Sequence, residues 1–207
     1  MQALVLLDYL GVALFAATGA LAASRKQLDV VGFLFLATLT GVGGGTLRDL
    51  ILDVPVFWVT QHLYLLICAG VAGLVFFTAH FLESRYRWLL WLDAVALAAY
   101  GVFGAAKGLA VTGSPVVAVA MGMLTGSFGG ILRDVVAGEP SVVMRREIYI
   151  TAAFAGAGAF VAADALGLPL ALSAGLAAAL AFGVRAGALA RGWTLPAYRP
   201  RPGRDVG

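Results

Sequence analysis

The sequence predicts an all-α integral membrane protein: seven transmembrane helices, arranged as two inverted three-helix repeats and a seventh helix. Three observations predict it. The composition is too apolar for water, long apolar stretches alternate with short polar breaks, and one fixed register lays the chain over itself. Of 207 residues, 61% are hydrophobic and 12% charged, where soluble domains carry roughly 25% charged residues. Half the usual charge leaves apolar surface that only lipid accepts as solvent. The single cysteine, Cys68, lies in an apolar run without a partner, which excludes a disulfide framework and a cysteine-based metal centre.

A spanning helix needs about 20 mostly apolar residues. The first stretch, 4–23, stops at Ser24-Arg25-Lys26-Gln27. The second, 30–52, ends at Asp53-Val54-Pro55, where charge and proline both oppose further helix. The third, 62–82, is closed by Glu83-Ser84-Arg85-Tyr86-Arg87, and the fourth, 88–107, by Thr112-Gly113-Ser114-Pro115. The fifth, 115–137, starts on that proline and runs to Gly138-Glu139-Pro140, with Arg145-Arg146-Glu147 beyond. The sixth, 148–166, is parted from the seventh, 168–189, by Gly167-Leu168-Pro169. One membrane domain thus covers 1–190, with repeat 1 over 4–82 and repeat 2 over 88–166. Residues 191–207, rich in Arg, Pro and Gly, are expected to form a disordered cytoplasmic tail.

Basic residues orient the spans. Arg25, Lys26, Arg85, Arg87, Arg145, Arg146, Arg191, Arg199, Arg201 and Arg204 fall on one side and none on the other. That side is cytoplasmic, which puts the N-terminus outside and the C-terminus inside. Trp88, Trp91 and Trp193 lie near it as interfacial anchors. No basic leader or small-residue cleavage site precedes Asp8, so the first helix is expected to be retained. The net charge of +3 is not gathered on a soluble face, and no nucleic-acid partner is expected.

A shift of 85 positions lays Asp8 over Asp93 and Leu39-Thr40-Gly41 over Leu124-Thr125-Gly126. Without a gap, Gly44-Gly45 falls on Gly129-Gly130, Leu47-Arg48-Asp49 on Leu132-Arg133-Asp134, Pro55 on Pro140, Tyr64 on Tyr149 and Gly73 on Gly158. Three spans per copy force the second copy to enter the membrane from the opposite side. Such repeats place a permeation pathway at their interface near the midplane.

Charge inside a span is costly and faces the bundle interior or a watery cavity. Arg48, Lys107, Arg133 and Arg185 are the buried basic candidates, and Asp8, Asp49, Asp93 and Asp134 the acidic ones. Neighbours on a helix point about 100° apart, so Arg48 is expected not to bridge Asp49. Expected instead are pairs across the repeats, Arg48 with Asp134 or Arg133 with Asp49, or pairs with Asp8 and Asp93. A purely structural ion-pair network is the alternative. Lys107 stands where the first copy has Ala22 and is expected to snorkel to the interface rather than to act as a gating charge. Arg185 is expected to serve packing or lipid headgroups, and His62 and His80 to be ordinary interfacial residues.

Gly41-Val42-Gly43-Gly44-Gly45 and Gly126-Ser127-Phe128-Gly129-Gly130 each precede a Leu-Arg-Asp or Ile-Leu-Arg-Asp stretch by at most one residue. Each glycine costs a helix about 1 kcal/mol relative to alanine, so the runs are expected to bend or open the second and fifth spans. Exposed carbonyls there would replace part of a cation's hydration shell. Close helix packing, Gly41 with Gly45 and Gly126 with Gly130, is the competing reading. No Ser/His/Asp or Cys/His set is present, and each aspartate after a glycine run follows an arginine, unlike a protease dyad that shares one proton. The chain is not expected to be an enzyme.

Gly-Gly-Gly-Thr-Leu-Arg-Asp in the second span, Gly-Gly-Ile-Leu-Arg-Asp in the fifth and the extra seventh helix resemble the prokaryotic trimeric intracellular cation (TRIC) channel family. The resemblance implies a homotrimer in the prokaryotic plasma (inner) membrane. Each protomer would hold its own pore between kinked helices and pass monovalent cations, potassium being the physiological ion, with no cofactor. The kinks would fall on Gly43, Gly44 and Gly45 and on Gly129 and Gly130, and the lining on carbonyls and hydroxyls of Thr40, Thr125 and Ser127. Phe128 stands where the first copy has Gly43, which implies an asymmetric pore with an aromatic constriction. The lysine-containing lipid-binding motif of animal relatives is absent from the second span, so membrane lipids are expected as surroundings and phosphoinositide control is not carried over. The same family is also labelled a glycine-transporter-type domain, which implies a secondary transporter of a small amino acid as the alternative.

Overall fold

A computed structural model describes residues 2–144 and 147–196, with side chains from Leu6 onward. The described residues form eight α-helices and no strand beyond an isolated bridge between Glu147 and Thr194. The helices are α1 (Gln2–Arg25), α2 (Val30–Ile51), α3 (Phe57–Thr60), α4 (Leu63–Thr78), α5 (Arg85–Thr112), α6 (Pro115–Val136), α7 (Ile150–Ala165) and α8 (Leu170–Arg191), with a 3-10 turn over Ala79–Phe81. Six are long and apolar enough to cross a membrane, and α7 is a shorter apolar helix. Arg145, Arg146, Arg199, Arg201 and Arg204, and the tail beyond 196, lie outside the described residues.

Local chemistry sets the ends. Asp29 caps α2 by accepting from the Gly32 N–H at 2.8 Å. Ser84 and Ser114 cap α5 and α6 in the same way, and Pro115 opens α6 where no intrahelical donor is needed. Gly113 and Gly192 close α5 and α8 with left-handed backbone. After α2 and α6 the chain turns through Asp53 (φ 52°) and Gly138 (φ 64°), which the 85-residue register superposes.

Two features depart from the sequence expectation. Helix α5 runs from Arg85 to Thr112 rather than over 88–107, so Lys107 lies within a helix instead of at its exit. Both glycine runs sit inside continuous α-helix, so neither span opens at them. In apolar surroundings an unpaired backbone N–H costs more than the helix propensity that glycine lacks, and the missing side chains are used for close packing.

Helices α5 and α1 are the most enclosed, and α4 and α8 the most peripheral. One core of Val12, Phe15, Leu36, Cys68 and Tyr100 joins α1, α2, α4 and α5. Another, of Val102, Ala105, Ala157, Phe160 and Ala177, joins α5, α7 and α8. Outside, Phe77, Val116, Leu166 and Leu180 are exposed, while Asp8, Arg48, Asp49, Asp93, Arg133 and Asp134 are buried. Apolar outside and ionic inside is the pattern of a bundle solvated by lipid. Trp88, Trp91 and Trp193 keep substantial exposure.

Candidate functional site

Helices α2 and α6 cross at their glycines. A Cβ at Gly44 would overlap the Thr125 carbonyl, and one at Gly129 would stand 2.5 Å from the Thr40 carbonyl oxygen. Contacts 44 to 125 and 40 to 129 descend on one helix as they climb on the other, so the helices run antiparallel past the crossing. Arg48 and Arg133, each C-terminal to it, lie on opposite sides. The outer members of each run face elsewhere. Gly41 lies against Cys68 and the Val12 carbonyl, Gly45 under Phe57 and the Tyr100 hydroxyl, Gly126 against Leu97 and Gly101, and Gly130 under the Tyr149 hydroxyl and Asp93. Gly43 meets Leu132. The Thr40 hydroxyl donates to the Leu36 carbonyl and that of Ser127 to Met123, both within their own helix. The Thr125 hydroxyl is buried without a partner among the described residues. Phe128 is half-buried.

On one side of the crossing, Arg133 is 1% exposed and fully engaged. Nε and Nη2 donate to Asp134 Oδ1 at 3.0 and 2.9 Å, and Nη1 donates to Asp93 Oδ1 at 2.6 Å and to Thr18 Oγ1 at 3.0 Å. Asp134 Oδ2 accepts from the Val142 N–H at 3.0 Å, which anchors the loop after α6. Charge-assisted bonds of this kind are the strong ones and balance the cost of burial.

On the other side, Arg48 is 0% exposed and engaged by Nε alone, which donates to Asp49 Oδ1 at 2.7 Å. Asp49 Oδ2 accepts from the Phe57 N–H at 3.0 Å, the counterpart of the Asp134–Val142 bond. Lys107 Nζ joins Asp49 Oδ1 at 2.7 Å. The Arg48 guanidinium lies 5.0 Å from the Phe103 ring centre and 5.7 Å from that of Phe57. Asp8 takes a hydrogen bond from the Tyr64 hydroxyl. Asp8 Oδ1, Arg48 Nη1 and Nη2, and the Tyr100 and Tyr149 hydroxyls are buried without partners among the described residues.

Arg48 therefore does bridge Asp49, and Arg133 Asp134, against the expectation from helical spacing. The carboxylate and the long guanidinium arm bend toward each other at the helix end, where burial makes an unpaired charge costly. Of the pairings considered, Arg133 with Asp93 forms, whereas Arg48–Asp134, Arg133–Asp49 and Arg48–Asp8 are not among the ion pairs. Lys107 turns inward to Asp49 and does not snorkel, because α5 continues past it. Arg185 is buried rather than facing lipid headgroups. It donates to Glu147 Oε2 at 2.8 Å and to the Ile148 carbonyl at 3.1 Å, and lies 5.1 Å from the Tyr149 ring centre. Thr18, Phe103 and Tyr100 escaped the sequence reading. The 85-residue register held the signal, since it lays Thr18 over Phe103 and Phe15 over Tyr100.

The family model described as Glycine transporter matches residues 5–80 and again 90–165. The TRIC trimeric intracellular cation channel orthologue from Rhodobacter sphaeroides is 54% identical, with a TM-score of 0.91 over 93% of this chain and 100% of that one. A prokaryotic TRIC channel crystallised in 0.5 M KCl is 26% identical, with a TM-score of 0.87 over 94% and 99% of the two chains. The inner membrane protein YadS of Escherichia coli K12 is 41% identical over 152 residues, 72% of this chain and 73% of its own length. The membrane protein YvgT of Bacillus subtilis 168 is 34% identical over 147 residues, 70% and 72% of the two lengths. Two matches to one family model, covering both halves of an all-helical membrane bundle, place the chain in the TRIC family, whose model carries the glycine transporter description.

Proposed function

We propose that the protein is a monovalent cation channel of the inner membrane, permeable to potassium, with a path in each protomer between α2 and α6. The observation that carries this reading is the string of buried polar atoms without partners among the described residues, Asp8 Oδ1, Arg48 Nη1 and Nη2, Tyr100 OH, Thr125 Oγ1 and Tyr149 OH, distributed on both sides of the α2–α6 crossing. A lipid-solvated bundle retains such groups where water or an ion reaches them. Asp8, Asp49, Asp93, Asp134 and Glu147 outnumber Arg48, Lys107, Arg133 and Arg185 by one, an interior charge that favours cations. The 54% identical relative is a trimeric cation channel by description, which supports the same activity and a homotrimer.

In this reading the halves are inverted repeats, the seven apolar helices all span, and the basic loops are cytoplasmic. The Thr40 and Thr125 carbonyls line the narrowest level, with Ser127 and Phe128 beside it, and the two Arg–Asp clusters and Lys107 act as charged gates at its ends. The antiparallel crossing and the equivalent Asp49–Phe57 and Asp134–Val142 bonds support the inverted arrangement.

The test is single-channel recording of purified protein in planar bilayers under a KCl gradient, paired with glycine flux into liposomes. Unitary currents that reverse near the potassium potential are expected. Reversal near the chloride potential sinks the reading. Silent bilayers with saturable glycine uptake establish instead the secondary transporter, which the family description favours.

A further inference from the structure

Thr18 and Phe103 occupy equivalent positions in the two halves, and each touches the arginine of the other half. Thr18, in α1, accepts from Arg133 Nη1 at 3.0 Å. Phe103, in α5, offers its ring 5.0 Å from Arg48 Cζ. A ring face attracts a guanidinium through its quadrupole but gives no N–H a direction, whereas a hydroxyl oxygen fixes one.

The arginines differ accordingly. Arg133 makes four hydrogen bonds, to Asp134, Asp93 and Thr18. Arg48 is held by Nε alone, and both terminal nitrogens are buried without a partner among the described residues. Asp8, at the place that corresponds to Asp93, is bound by Tyr64 instead and keeps Oδ1 unpartnered. The two copies share Asp8/Asp93, Arg48/Arg133, Asp49/Asp134 and Tyr64/Tyr149; around the arginines they differ at Thr18/Phe103, Phe57/Val142 and Ala22/Lys107, and of these Thr18/Phe103 is the one at which a hydroxyl meets a guanidinium.

We infer that the Thr18/Phe103 difference makes Arg48 the moving gate side chain and Arg133 a fixed post, an inference that rests on the cation-channel reading. Arg48 turns its free fork between the slot formed by Phe57 and Phe103 and the open oxygen of Asp8 without giving up Asp49. Arg133 cannot turn without breaking several charge-assisted bonds at once. The chain thus gates at the end that holds Arg48, and Thr18 and Phe103 act through the arginines as positioning residues.

The test combines ¹⁵N NMR of the arginine guanidinium groups in the solubilised full chain with bilayer recording in KCl. In the wild type, Arg133 is expected to give two resolved Nη signals and Arg48 a single rotation-averaged one. Phe103→Thr supplies the hydroxyl that Arg48 lacks. It should resolve the Arg48 pair and lower open probability by about tenfold, the scale of one hydrogen bond to a charged group, at unchanged unitary conductance. Phe103→Leu, which supplies no hydroxyl, should leave Arg48 averaged and open probability well above that of Phe103→Thr.

Wild-type arginines that rotate alike overturn the inference, even where a variant fails to fold. So does Phe103→Thr that locks Arg48 without closing the channel, or Phe103→Leu that closes it equally. A wild type with the NMR asymmetry but no cation current overturns the channel reading, and the gate role with it, while the difference between the arginines stands.

Discussion

Gly44 of α2 lies against the Thr125 carbonyl of α6 so closely that a Cβ would overlap it, and Gly129 meets the Thr40 carbonyl in the mirror contact. Backbone touches backbone, so the displaced atom has no flexible side chain to yield. Gly44→Ala should therefore destabilise the bundle by about 1–3 kcal/mol, the usual cost of overpacking, a fall of about 3–10 °C in Tm for a chain of this size. Gly73 has nothing within 4 Å of its Cβ position, and Gly73→Ala should not lower Tm. Thermal unfolding in detergent compares the two; equal effects would mean that the crossing yields freely.

Unequal bonding of the two arginines predicts unequal costs of losing them. Arg133→Ala strips the guanidinium from Asp93 and Asp134 together, and breaking a buried pair by removing one partner costs about 3–5 kcal/mol. Arg48→Ala leaves Asp49 with Lys107 and the Phe57 N–H. Arg133→Ala should lower Tm more than Arg48→Ala, and neither should turn the conductance anion-selective, because the four aspartates remain. The reverse order in Tm would contradict the hydrogen-bond assignment.

The all-helical membrane bundle was legible because lipid enforces it: apolar runs and charged breaks leave few alternatives to spanning helices, of which six are long enough to cross and α7 is shorter. The register of Arg48 and Asp49 with Arg133 and Asp134 marked residues that meet, while Asp8 binds Tyr64 rather than an arginine. Pairing was less legible. Whether Arg48 reaches Asp49, Asp8 or Asp134 depends on side-chain arms longer than the helix period, and on which neighbour offers a second contact. Lys107 was misplaced because Thr112, five positions on, rather than the charge itself, ends α5. An opened helix and a tight crossing have the same glycine signature in the sequence, and only the carbonyls of Thr125 and Thr40 facing Gly44 and Gly129 tell them apart.

Asp49 collects Arg48, Lys107 and the Phe57 N–H, and so holds α2, α5 and α3 at one point. Asp49→Asn leaves the buried Arg48 and the half-buried Lys107 without their carboxylate, whereas Lys107→Met removes one cation from a carboxylate that keeps two donors. The asparagine variant should lose about 3 kcal/mol or more and the methionine variant about 1 kcal/mol. Detergent-solubilised melting curves give the order, and a methionine variant less stable than the asparagine one would exclude Asp49 as the hub.

Arg185 connects the helix outside the repeats to the Arg133 cluster. It lies over the Tyr149 ring, and the Tyr149 hydroxyl sits above Gly130 beside Asp93, which Arg133 holds. Tyr64, the counterpart in the first half, binds Asp8 with no cation among the described residues stacked on its ring by α8. A double-mutant cycle separates the two cases, because residues in contact couple and distant ones add. Arg185→Ala with Tyr149→Leu should show a coupling energy of about 0.5 kcal/mol or more, and Arg185→Ala with Tyr64→Leu should be additive within about 0.3–0.5 kcal/mol. Additivity in both cycles would mean that α8 only packs against the bundle; coupling confined to Tyr149 would make α8 a support for one arginine cluster and not the other.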